Sequence, residues 1–153
     1  MKSFKWYFLF LFLFPLISYG QKKEGTDFIL GFEHQKYATL QIGVAHAKRT
    51  DLIVKYSNIH LCGNILFGNA GPTAYGINAG CDFSFLIYQA GIQIAGYGNN
   101  TGNVVLLRPE IGVTVFGFCD LLYGYNFFPV KENFNIGNNA ISFRFKIPLA
   151  LYK

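Results

Sequence analysis

Residues 74–82 alternate strictly: Tyr75, Ile77, Ala79 and Cys81 fall on one side, and Gly76, Asn78, Gly80 and Asp82 on the other. A two-residue period marks a strand with two unlike faces. The same alternation returns in Gln89/Gly91/Gln93 against Tyr88/Ala90/Ile92/Ile94, and in Glu110/Gly112/Thr114 against Ile111/Val113/Val115. Asp120/Leu122/Gly124/Asn126 against Leu121/Tyr123/Tyr125/Phe127 repeats it. Eight strands are predicted, at about 28–35, 37–46, 52–63, 74–82, 86–97, 104–115, 118–127 and 140–149. In the third, Val54 and Tyr56 read as one face and Ile59 and Leu61 as the other, which predicts a bulge near Ser57-Asn58.

The small residues decide which face meets which solvent. Gly31, Gly43, Gly76, Gly80, Gly91, Gly112 and Gly124 all fall on the polar face, where a water-exposed sheet would gain nothing from them and lose strand stability. A narrow, crowded lumen explains them better. With 14% charged and 18% aromatic residues, the chain also lacks the charge to coat a soluble surface. Apolar side out and polar side in is the pattern of a transmembrane β-barrel.

Connection lengths agree with that reading. The second, fourth and sixth connections (Ala47 to Asp51, Phe83 to Phe85, Phe116 to Gly117) read as short, and the first, near Lys36, as very tight. The third, fifth and seventh (Asn64 to Thr73, Gly98 to Asn103, Phe128 to Asn139) read as longer loops rich in Asn and Gly. Short turns at one end and longer loops at the other fit an outer-membrane barrel with a periplasmic N-terminus, its first strand closing on its eighth.

Residues 1–20 carry the marks of a secretory signal peptide: Lys2 and Lys5, a Phe/Leu-rich run from Trp6 to Ile17, then Ser18-Tyr19-Gly20 before a predicted cut at Gln21. Residues 21–153 then form one barrel domain, and losing two lysines lowers the net charge from +5 to +3. That charge is too mild and too scattered for nucleic acid. Cys62, Cys81 and Cys119 are odd in number and have no close pairing, so they are read as small hydrophobes rather than a disulfide or zinc set.

Eight charges fall on the polar face and form the candidate lumen network: Glu33, Lys55, Asp82, Arg108, Glu110, Asp120, Arg144 and Lys146. Four acids against four bases suggest a neutralised interior rather than a selective pore. The expected registers place Lys55 with Asp82, Asp120 with Lys146, Arg108 beside Glu110 on one strand, and Glu33 with Arg144 across the closing seam. Tyr37, Tyr88, Tyr97, Tyr123, Tyr125, Phe127 and Phe128 are candidates for interfacial girdles. For catalysis, His60 with Ser57, Ser84 or Ser142 is the only candidate set, and no Gly-x-Ser-x-Gly accompanies it. No cofactor or metal site is expected.

The chain resembles the small eight-stranded outer-membrane barrels, the class that holds the membrane domain of outer membrane protein A. Arg108-Pro109-Glu110-Ile111-Gly112 followed by Tyr123-Gly124-Tyr125-Asn126 looks like a pair of late strands recurring in short exported barrels. The resemblance implies a monomer in the bacterial outer membrane, surrounded by lipid and inserted by the outer-membrane assembly machinery. The expected function is a non-enzymatic, structural or surface-interaction role. Two alternatives remain open: a periplasmic soluble barrel binding an apolar ligand, and a lipid-modifying barrel enzyme.

Overall fold

The computed structural model describes residues 23–51, 55–68, 71–100, 102–115, 117–131 and 136–149. The expected signal peptide lies outside them. Strands β1 (Lys23–His34), β2 (Ala38–Asp51), β3 (Lys55–Gly68), β4 (Gly71–Phe85), β5 (Tyr88–Asn99) and β6 (Gly102–Val115) are followed by β7 (Cys119–Tyr125), β8 (Phe127–Lys131) and β9 (Asn139–Pro148). The segments β7 and β8 both pair with β6 and are separated by Asn126 alone, so they are two halves of one strand. Every pairing is antiparallel, β5 joins β6, and β9 closes against β1. The result is a closed, eight-stranded, all-β antiparallel barrel.

Closure removes every long edge, and alternation then assigns each side chain to a wall or to the lumen. On β4, Tyr75, Ile77, Ala79, Cys81, Phe83 and Phe85 point out, while Asn78, Asp82 and Ser84 are buried. On β5, Ile92 points out and Gln93 in. Two interior layers are apolar. Near the rim formed by the β1–β2 turn, Leu66, Ala74, Ala95, Tyr97, Val104 and Leu106 pack with Ile136 from the β8–β9 connection. Ile29, Ala45 and Cys62 form a smaller cluster on the first three strands.

The strands are longer than the sequence pattern suggests, and the long third and fifth loops are absent. Gly68 pairs with Gly71 and Asn99 with Gly102, so both connections are tight hairpins. The Asn and Gly residues that read as loop markers continue the ladder instead: Asn64 turns inward opposite Gln41, and Gly98 pairs with Asn103. The predicted bulge at Ser57-Asn58 is also absent. β3 alternates without interruption because Tyr56, read as an outward ring, turns into the lumen, where its hydroxyl donates to Asp27 at 3.3 Å. Register shifts fall instead at Arg49/Asp51 and Leu66/Phe67.

The fourth turn sits at Leu86-Ile87 rather than Phe83–Phe85, with Leu86 at a φ of 56°. In the sixth, Gly117 takes a φ of 71° and donates its N–H to Thr114 Oγ1 at 3.2 Å. A Cβ there would also lie 3.2 Å from the Tyr56 ring. Gly117→Ala should therefore cost about 1–2 kcal/mol through the left-handed backbone alone, read as a lower urea midpoint.

Candidate lumen charge network

Seven of the eight candidate charges lie inside the barrel and are bound to one another. Arg108 on β6 is fully buried and crosses the lumen to the Glu33 carboxylate on β1. Its Nε donates to Asn126 Oδ1 at 2.5 Å, and Asn126 in turn donates to Gln35 Oε1 at 2.9 Å and to the Gly137 carbonyl at 2.7 Å. The interruption between β7 and β8 thus faces the arginine with an amide it can use. Glu33 also accepts from Gln41 at 2.9 Å and Ser142 at 3.2 Å.

Toward the opposite rim, Arg144 on β9 donates to Glu110 at 2.6 Å, and Gln93 donates to the second Glu110 oxygen, also at 2.6 Å. Arg144 and Lys146 each lie 3.7 Å from Asp82 on β4, which accepts from Asn58 at 3.1 Å. Lys146 meets Asp120 at 2.5 Å, and Asp120 accepts from Thr114 at 2.7 Å and Gln89 at 3.1 Å. Nearest that rim, Asp27 accepts from Arg49 at 2.9 Å, and the Arg49 guanidinium lies over the rings of Tyr56 and Phe118.

Glycine makes these arrangements fit. A Cβ on Gly124 would sit 2.5 Å from Cδ and 2.8 Å from Cγ of Arg108. No larger residue leaves the guanidinium its path across the lumen. Other polar-face glycines clear different neighbours: Gly91 the Asp82 carboxylate, Gly76 the Tyr97 ring, and Gly43 and Gly112 the backbone of the adjoining strand.

Two expected pairs are corrected. Lys55 is exposed on the outer face, opposite Phe85, because β3 alternates with Tyr56 inward. Asp82 takes Asn58, Arg144 and Lys146 instead. Glu33 and Arg144 do not pair: the seam sets Glu33 opposite Ser142 and Arg144 opposite Gly31. Arg108, reaching from the far wall, takes Glu33, which leaves Arg144 to Glu110. Of the proposed girdle rings, Tyr97 is buried, and Tyr37 and Phe128 pack on the inner apolar cluster. Tyr88, Tyr123, Tyr125 and Phe127 are exposed on the outer face.

The structure adds Asp27, Arg49, Tyr56, Asn58 and Asn126 to the network. Asp27 and Arg49 fell just outside the predicted strands, although continuing the period back from Gly31 and Ile29 reaches Asp27. Their inclusion, with the loss of Lys55, gives five interior carboxylates against four Lys and Arg side chains among the described residues.

The hydroxyl and imidazole groups are not assembled as a catalytic set. His60 is buried in the lumen rather than at a rim, with Nδ1 3.1 Å from Asn58 Oδ1 and 3.6 Å from Asp82. Ser142 is committed to Glu33, Ser84 is 3.5 Å from the Tyr56 carbonyl, and Ser57 lies on the outward side of β3. Among the described residues, no group of three or more His, Cys, Asp or Glu side chains is placed to hold a metal ion, and the three cysteines are free.

The Asp120–Lys146 pair offers the cleanest test of this network, since both side chains are sealed from solvent. Lys146→Met alone strands a buried carboxylate and should cost about 3–5 kcal/mol, while the double variant with Asp120→Leu should recover a good part of that. Equilibrium unfolding in denaturant measures both. Simple additivity would show that the pair does not act as a unit.

No family model, curated protein or solved structure gives a significant match to this chain.

Proposed function

We propose that the protein is a small integral outer-membrane β-barrel with a non-enzymatic, structural role in the cell envelope. The observation that carries this reading is the outer belt. Along β4 the outward side chains stay apolar from Tyr75 to Phe85. At about 3.3 Å per residue and a tilt of about 40°, that stretch covers about 25 Å of height, the thickness of an outer-membrane apolar band.

The interior supports the same reading. A soluble carrier of apolar ligands needs an apolar hollow, whereas this lumen is occupied by ion pairs, amides and an apolar plug carrying Ile136. The tight third and fifth hairpins also favour a structural role over a surface-binding one. Among the connections between described strands, only that from Lys131 to Asn139 has the length for an outer loop.

Two measurements test the proposal. The mature chain should partition into lipid vesicles and stay there after a carbonate wash. Ile92→Arg, which places a cation on the outer belt, should then destabilise the inserted protein by roughly 2–4 kcal/mol if it lies near the midplane. In a water-soluble barrel the same exposed change would fall within about 0.5 kcal/mol of neutral. A neutral Ile92→Arg would sink the membrane reading.

A further inference from the structure

The outer surface has a notch beside the β1–β2 turn. Four outward positions form the row at this rim, Ile141, His34, Ala38 and Phe67, each opposite the next across β9, β1, β2 and β3. Below them lies a second row of Phe143, Phe32 and Leu40. Ala38 is the one small side chain in the upper row, and the space above it opens into an apolar depression of about 630 Å³. Three phenylalanines wall this hollow.

The edge of the notch carries polar nitrogen groups. His34 is exposed on its edge, and the turn directly above carries Lys36, also exposed, its amino group 5.8 Å from the centre of the Tyr37 ring. Among the described side chains, no carboxylate faces outward at this rim. The one outward acid that is described, Glu24, lies at the opposite end, where it pairs with Lys48 at 2.6 Å. An apolar hollow edged by an imidazole and adjoining a lysine-bearing turn complements a molecule with an acyl chain and an anionic head.

We infer that this notch is a binding site for a single phosphate-bearing lipid, its acyl chain over Ala38 between Phe67 and Phe32 and its phosphate at Lys36 and His34. The inference rests on the membrane reading above. Convex barrel walls offer lipid chains no preferred seat, whereas a concave apolar site with a charged group beside it can hold one in place.

Native mass spectrometry of the detergent-purified protein, titrated with dioleoyl phosphatidic acid or dioleoyl phosphatidylcholine, tests it. One equivalent of phosphatidic acid should be retained in preference to phosphatidylcholine. Lys36→Ala should weaken that retention roughly fivefold, the effect of one basic residue beside an anionic headgroup. Ala38→Phe, which fills the hollow without altering charge, should abolish it while leaving vesicle insertion intact. Equal retention of the two lipids, or undiminished retention by Ala38→Phe, would overturn the site and leave the membrane reading standing. Failure of the unaltered protein to enter vesicles would overturn both.

Discussion

A guanidinium, an ammonium or a carboxylate moved from water into a lumen filled by side chains must find its opposite charge there, and this requirement organises the barrel. Arg108 shows how far it reaches. Its charge is met by Glu33 from the far wall and its remaining donors by Asn126 and Gln35, so one side chain ties β1, β6 and the β7–β8 junction together. Asp82 does the same for β4 and β9 through Arg144 and Lys146. Removing one member leaves a buried charge without its counter-ion, which costs far more than the pair contributes by forming. Such a network adds less to stability than to choice of structure: a register shifted by one residue would send these charges into the apolar belt.

The same requirement explains features that would otherwise look wasteful. Interior glycines weaken strands, yet Gly124 gives Arg108 the room to cross the lumen. Apolar side chains also have a place inside, provided they are layered. Leu66, Tyr97, Val104 and Ile136 form an apolar plug at one end, and Arg49 stacked on Tyr56 and Phe118 occupies the other. Between them lie the ion pairs, where burial strengthens each attraction and raises the cost of each missing partner.

Strand count and most face assignments were legible in the sequence because they rest on a two-residue period, and Tyr88 to Ile94 states that period without ambiguity. Turn positions were less legible. Asn64, Gly68 and Gly98 carry turn chemistry, but ladder pairing with a neighbouring strand outweighs local preference, and the hairpins tighten to Gly68–Gly71 and Asn99–Gly102. Tyr56 misled for another reason: its ring suits either face, and only the position of Asp27, about thirty residues away in sequence, gives its hydroxyl a buried partner. That one reversal moved Lys55 to the outside. Pairing across the lumen was not legible at all, since register fixes neighbours along the wall and says nothing of who faces whom across it.

This last point bears on how the barrel forms. Hairpin partners lie close in the sequence and can meet early, but Arg108 and Glu33 are 75 residues apart, and Ser142 and Glu33 are 109. Contacts of that separation carry the full entropic cost of loop closure before they stabilise anything. Until β9 meets β1, Glu33 lacks the Ser142 hydroxyl and the sheet has two open edges. Closure therefore does two things in one step: it pairs the edges and gives Glu33 its arginine and its serine. A chain arranged in this way has little to gain from a half-formed sheet, whose edges and interior would both be unsatisfied. The interior network thus couples sealing of the wall to neutralisation of the lumen, and neither is complete without the other.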